Sequence, residues 1–163
     1  MRVPQVRDTL TRFVSSVIPD TRAIVRTRPL GRGLIKRGLR SPLLVVSDGA
    51  PGLVRAITEL WPDADRGRCV VHRLRNILAK LPKRPDLHAR VRAAYWAALD
   101  GATSPQEAEH GLRVLVGELA GEFPSAAACL ADDLGALTVH LAYPLRLRRR
   151  LRSTNLLSAR SRR

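Results

Sequence analysis

The sequence predicts an α/β fold in which one or two buried strands precede a long all-helical stretch. A continuous apolar run at residues 42–47 ends in Asp-Gly, a short run rich in β-branched residues follows at 68–72, and helical apolar spacing continues to residue 142. An apolar run without alternation is typical of a strand that is buried on both faces. With 163 residues, the chain is long enough for one domain with its own core.

The first third of the chain predicts a helix, loops and then the first strand. Apolar residues at helical spacing predict an amphipathic helix over 5–18, and the prolines and glycines of 27–41 predict loops around a short helical turn. The strand at 42–47 follows. Pro51 then suits the first turn of a helix that ends before Pro62. Its predicted apolar face consists of Leu53, Val54, Ile57 and Leu60.

The second strand is predicted at Arg68–His72, because β-branched residues favour strands. Helical spacing begins at Arg73, where Leu74, Ile77, Leu78 and Leu81 share one face. A further helix is predicted over 86–99.

The remaining helices are predicted from their start signals. Residues 104–107 read Ser-Pro-Gln-Glu, a capping box with proline at the first helical position, and predict a helix to about Glu122. Pro124 predicts another helix to roughly Leu134, and Tyr143-Pro144 interrupts the pattern.

Charge divides the chain into a near-neutral middle and two basic ends. The net charge is +15, and residues 1–47 carry ten basic and two acidic side chains, whereas residues 134–163 carry eight basic and no acidic ones. Such ends predict a polyanionic partner, nucleic acid before membrane. The longest apolar run, Ala93–Leu99, excludes a transmembrane helix. Alternatives are solvated arginines from a biased genome, or an organelle transit peptide at 1–30.

Asp48 is the most informative candidate site residue. It follows the predicted buried strand, at the sheet edge where α/β proteins place ligands, and a carboxylate there can bind Mg²⁺. The alternative is a structural role, in which Asp48 caps the next helix.

Two further clusters carry candidate chemistry. Cys69 and His72 have the spacing of half a zinc site, with Cys129 and His140 as distant candidates for the other half. Two cysteines cannot form a disulfide framework, which predicts a reducing cytoplasm. The phosphate-binding candidates of the C-terminal segment, which also fit a solvated charge run, are Arg148, Arg149, Arg150, Arg152, Thr154 and Asn155.

Several blocks in order resemble bacterial Mutator-type insertion-sequence transposases. Residues 35–53, with Ser47-Asp48-Gly49, resemble the segment around that family's second catalytic aspartate. Residues 68–76 resemble its Cys-x-x-His block, residues 124–133 its later helical region, and residues 152–157 the Thr-Asn motif before the catalytic glutamate.

The resemblance implies a partial RNase H-like core with a helical insertion. The implied divisions are an Arg-rich segment at 1–33, the partial core at 34–72, the insertion at 73–142 and an Arg-rich segment at 143–163. It also implies an Asp-Asp-Glu site that holds two Mg²⁺ ions about 4 Å apart and cuts and joins DNA. Asp48 would be the retained metal ligand, and Cys69 and His72 the retained motif.

The chain departs from the family pattern at two of the three carboxylates. Ser158 stands where the glutamate is expected, no acidic residue follows Asp133, and the only acidic residues of 1–33 are Asp8 and Asp20. The expectation is a truncated, catalytically incomplete transposase, with DNA and a homo-oligomer or a full-length transposase as partners. It would be cytoplasmic and nucleoid-associated. The alternatives are a non-catalytic nucleic-acid-binding protein and a zinc module.

Overall fold

A computed structural model describes residues 32–33, 35–38 and 40–154 of the chain. Its sheet consists of β1 (Leu44–Ser47) and β2 (Asp65–Arg68), which pair in parallel with Leu44 opposite Asp65 and Ser47 opposite Arg68. Helix α1 (Pro51–Leu60) connects the two strands. Parallel strands need such a crossover because the end of one strand and the start of the next lie at opposite edges of the sheet.

The described chain after β2 is mainly helical, and the apolar spacing predicted this as far as residue 142. It comprises α2 (Val70–Leu78), α3 (Pro85–Asp100), α4 (Pro105–Ala120), α5 (Pro124–Ala131), α6 (Leu134–Thr138), the 3₁₀ helix Val139–Ala142, and α7 (Leu145–Leu151). The helix predicted over 5–18 lies outside the described residues. Helix α7 was not predicted.

The core has two parts. Val45 of β1 packs with Leu53, Ile57 and Trp61, which belong to α1 or directly follow it. The larger part joins α2 to α6, and it includes Leu74, Ile77 and Leu81 of the apolar face that the helical spacing predicted. Its most deeply buried members include Ile77, Val91, Tyr95, Leu112, Leu119, Leu130 and Leu137.

The second strand was predicted three residues too late. The strand is Asp65–Arg68, and Cys69 is already the N-cap of α2, with Arg73 N–H donating to Cys69 O at 3.0 Å. Pairing with β1 outweighs the weak strand propensity of Asp-Arg-Gly-Arg. A Cβ on Gly67 would lie 3.3 Å from carbons of Leu44 and Val46, so glycine permits close packing there.

The helix that begins at Pro124 ends at Ala131, three residues earlier than predicted. Asp132 has an extended backbone, and Asp133 adopts the left-handed conformation with φ of 63°. A left-handed residue stops an α-helix, so α6 begins separately at Leu134. Within the described ranges, no helix is both long and apolar enough to cross a membrane.

Candidate functional site at the carboxyl edge of the sheet

Asp48 directly follows β1, at the carboxyl edge of the two-stranded sheet. Its Oδ1 accepts a hydrogen bond of 3.1 Å from the backbone N–H of Ala50, the residue before α1. Gly49 turns the chain with φ of 86°, a conformation that favours glycine. The carboxylate therefore satisfies a backbone N–H at the entry to α1, although Ala50 occupies the N-cap position.

Arg68 is the charged neighbour of this turn. Its Nη1 donates to the carbonyl oxygen of Gly49 at 3.0 Å, and a Cβ on Gly49 would lie 1.6 Å from the same nitrogen. Burial and the charge of Arg73 lower the pKa of Arg68, and the carboxylates of Asp132, Asp133 and Asp48 oppose this. The edge thus places a partly buried cation within electrostatic range of the Asp48 carboxylate.

Cys69 lies at the same edge, directly after β2. Its N–H donates to Ser47 O at 2.7 Å, which continues the hydrogen bonding of the two strands. Its buried Sγ accepts from the N–H of Thr154 at 3.4 Å and from the Thr154 hydroxyl at 3.5 Å, and its thiol donates to Ser153 Oγ at 3.6 Å. Thr154 Oγ1 also lies 3.4 Å from Nδ1 of His72. The structure therefore joins the Cys-x-x-His block to residues 153–154.

These contacts change the acidity of the Cys69 thiol. Burial raises its pKa and is the largest single effect, but the hydrogen bonds with the Thr154 side chain and backbone, the His72 backbone and the Ser153 side chain together outweigh it. The result is a pKa lowered to about 7. Hydrogen bonds stabilise the thiolate because it is a stronger acceptor than the thiol.

The predicted phosphate-binding arginines divide into two sets. Arg148 donates to the carbonyl oxygens of Tyr143 at 2.9 Å and Thr103 at 3.2 Å. Arg152 pairs with Asp100 and lies over the ring of Trp96, 5.1 Å from its centroid. These two guanidiniums bind α7 and its C-terminal end to the helical part of the molecule.

The other set points to solvent. It consists of Arg149 and Arg150. Arg146, which was not among the predicted site residues, is exposed on the same side of α7, because residues three and four apart share a helix face. In the described part of the chain, none of the three has an ion-pair or hydrogen-bond partner. They are termed the arginine face below. Thr154 is buried, and Asn155 lies outside the described residues.

The ion pair between the buried Arg73 and the exposed Asp132 has no counterpart among the sequence-based predictions. Arg73 is 3% exposed; its Nη2 donates to Asp132 Oδ2 at 2.8 Å, and its Nη1 donates to Cys129 O at 2.5 Å. The hydrogen bond from Arg73 is the main reason why the pKa of Asp132 is lowered. The two residues are 59 positions apart, so no local pattern could reveal the pair.

The described residues form no ligand cluster that would support the alternative of a zinc module. No group of three or more His, Cys, Asp or Glu side chains in residues 32–33, 35–38 and 40–154 has a metal-binding arrangement. His140 is buried with Nδ1 2.9 Å from Leu137 O, and the Cys129 sulfur lies 3.7 Å from Arg73 Nη1.

Comparison with known proteins shows the class to which this α/β chain belongs. A sequence model of the family described as "Transposase, Mutator family" matches residues 29–163. The chain therefore belongs to the Mutator family of transposases. This confirms the resemblance found in residues 35–157.

Individual relatives match three quarters of the chain. It is 37% identical over 128 residues to the transposase for insertion sequence element IST2 of Acidithiobacillus ferrooxidans, which covers 76% of this chain and 41% of the relative. It is 31% identical over 122 residues to the transposase for element IS6120 of Mycolicibacterium smegmatis, covering 74% of this chain and 36% of the relative. A Rhizobium meliloti transposase, for ISRM5, is 32% identical over 123 residues, covering 74% and 30%. The chain thus spans about two fifths or less of these relatives.

Proposed function

We propose that this chain takes part in insertion-sequence transposition by binding DNA through the arginine face, and that it does not cleave DNA by itself. The observation that carries the proposal is the placement of Arg146, Arg149 and Arg150 on one exposed side of α7. Guanidinium groups bind phosphate oxygens in pairs of hydrogen bonds, and such contacts dominate DNA affinity. Relatives named as insertion-sequence transposases support the connection with transposition.

The proposal treats β1, α1 and β2 as part of an RNase H-like core, with Asp48 as one of its carboxylates. The parallel strand pair and the position of Asp48 at the carboxyl edge support this assignment. A two-ion magnesium site needs several oxygen ligands. The described residues do not fit it: they contain no cluster of three ligating side chains, and the charged side chain beside Asp48 is that of Arg68. We derive no metal-dependent step for this chain.

DNA binding is tested with fluorescence anisotropy of a labelled duplex over a range of salt concentrations. One variant replaces Arg146, Arg149 and Arg150 by alanine. The expected result is weaker binding and a plot of log affinity against log salt that is flatter by about 0.9 for each DNA phosphate that the variant no longer neutralises.

The matched control removes the same charge from another surface. Arg75, Arg90 and Arg92 are exposed on α2 and α3, and replacing these three by alanine should leave the slope near that of the unaltered chain. Equal weakening in both variants would show that only net charge matters. That result would refute the assignment of the arginine face.

Cleavage is tested separately with a supercoiled plasmid in Mg²⁺ or Mn²⁺. No nicking above background is expected. Nicking that disappears in Asp48→Asn would contradict the second half of the proposal and would show that Asp48 works with further ligands.

A further inference from the structure

We propose that the Cys-x-x-His block is a hydrogen-bonded latch that docks the end of the arginine helix α7 onto the start of α2. The latch consists of Cys69, His72, Ser153 and Thr154. Cys69 and Thr154 are its positioning residues: they fix where α7, and hence the arginine face, lies relative to the sheet edge that carries Asp48. This role differs from that of a metal ligand pair or a nucleophile.

The first support is the set of bonds that converge on Cys69. Its N–H bonds to Ser47 O in β1, and its sulfur accepts two hydrogen bonds from Thr154. One residue therefore links the strand that precedes Asp48 with the segment that follows α7. Both cysteine and threonine are buried, with 1% and 7% exposure, so water does not replace these bonds.

The second support is a backbone hydrogen bond that joins the same two segments as the side-chain contacts. Val70 is the first residue of α2, and its N–H has no partner inside the helix. It donates to Arg152 O at 3.0 Å. The buried hydroxyl of Tyr95 donates to Val70 O at 3.0 Å and fixes this turn against α3. Residues 152–154 thus complete the N-terminal turn of α2.

His72 has a defined place in this arrangement. The Thr154 hydroxyl donates to the Cys69 sulfur, so its oxygen can accept from His72 only if Nδ1 carries the proton. The three-residue spacing places Cys69 and His72 on the same side of the first turn of α2. The spacing of the motif is therefore explained by one shared partner, Thr154.

Opening of the latch is measured by alkylation of the two cysteines with iodoacetamide, followed by mass spectrometry. Cys69 is protected while residues 153–154 cover it, whereas the partly exposed Cys129 is an internal control in the same molecule. In Thr154→Val, Cys69 should react at least about fivefold faster, which corresponds to a loss of about 1 kcal/mol, because the Thr154 hydroxyl bonds to both Cys69 and His72. The rate at Cys129 should not change.

The direction of this effect separates opening from a change in acidity. Removal of the Thr154 hydroxyl takes away a hydrogen bond that lowers the pKa of the Cys69 thiol, so it reduces the thiolate fraction and would slow alkylation in a closed latch. Faster reaction therefore reports that the segment lifts away. Unchanged or slower alkylation of Cys69 would overturn the proposal.

A second measurement replaces Cys69 instead of Thr154 and follows the latch by amide hydrogen exchange. Cys69→Ala should accelerate exchange at Val70 and Thr154 about fivefold, Cys69→Ser should recover part of the protection, and Leu112 in the core of α4 should remain unchanged. In the double variant with Thr154→Val, the two effects should not multiply, because they remove a shared bond. Multiplicative effects, or equal acceleration at Leu112, would overturn the proposal.

The matched control for removal of a hydroxyl is Thr58→Val. Thr58 is exposed on α1, and its hydroxyl bonds to Val54 O within the same helix. This variant should change neither the alkylation of Cys69 nor the exchange of Thr154. None of these measurements involves DNA, so failure of DNA binding would leave the test of the latch intact.

Discussion

Replacing Asp132 tests whether its ion pair with the buried Arg73 stabilises the contact between α2 and α5. Asp132→Asn keeps the shape of the side chain and removes its charge. Arg73 is 3% exposed, whereas the side chain of Asp132 is 63% exposed, so the pair experiences a dielectric between those of protein and water. Unit charges about 4 Å apart attract by about 4 kcal/mol at an effective dielectric of 20 and about 1 kcal/mol in water. The expected decrease in the free energy of unfolding is therefore about 2 kcal/mol.

The reason for the decrease is the cost of a buried cation without its counter-charge. Nε of Arg73 already lacks a partner, and without the carboxylate its main remaining acceptor is Cys129 O. Arg73→Met should cost less, about 1 kcal/mol, because it removes the buried charge and leaves Asp132 solvated and 3.4 Å from Arg68. In Arg73→Met, a further Asp132→Asn change should have little effect.

The assay is urea unfolding, with the free energy of unfolding compared at neutral pH. The matched control is Asp86→Asn, since Asp86 pairs with Arg84 at 2.9 Å but both side chains are more than 60% exposed. An exposed pair contributes little to stability because water screens it. If Asp132→Asn costs no more than Asp86→Asn, burial of Arg73 does not strengthen the pair and the reasoning is wrong.

Three further changes should also be visible in unfolding measurements. Gly49→Ala should cost about 2 kcal/mol or more, because the backbone is left-handed and the new Cβ would displace the Arg68 side chain. Gly117→Ala, at an exposed position of α4, should instead stabilise by about 0.5–1 kcal/mol. Ser104→Ala removes the acceptor for the N–H of Glu107 and should cost about 1 kcal/mol. Burial lowers the pKa of His140 from 6.5 to about 4, so stability should fall as the pH drops from 6.5 towards 4. This fall should be smaller in His140→Gln, and an identical pH profile would contradict it.

The helical stretch and the first strand were predictable because their signals are local. Apolar spacing placed Leu112 and Leu119 in the core, and the capping box at residues 104–107 marked the start of α4. In the structure Ser104 accepts from Glu107 N–H as expected, but the Glu107 carboxylate bonds to Thr103 instead of the N-cap residue. The geometry of the turn at Thr103, which the sequence pattern does not show, therefore determines which groups donate to the Glu107 carboxylate.

The second strand and α7 were not predictable in the same way. β2 has two arginines and an aspartate among its four residues, and it forms because β1 offers it a hydrogen-bonding edge. Arg148 and Arg152 belong to what looks in the sequence like a uniform basic run, yet their contacts with Thr103, Asp100 and Trp96 make them structural. A charge run does not show which of its members face the protein.

The sequence by itself determined the family, the helical core and the position of Asp48 after a buried strand, since each depends on residue order over a few turns. Only the tertiary structure decided that Cys69 meets Thr154, that Arg73 meets Asp132, and which arginines of α7 remain exposed. These contacts join residues 59 to 85 positions apart, or depend on which helix face is covered. Packing of the whole chain sets them, and no local propensity encodes them.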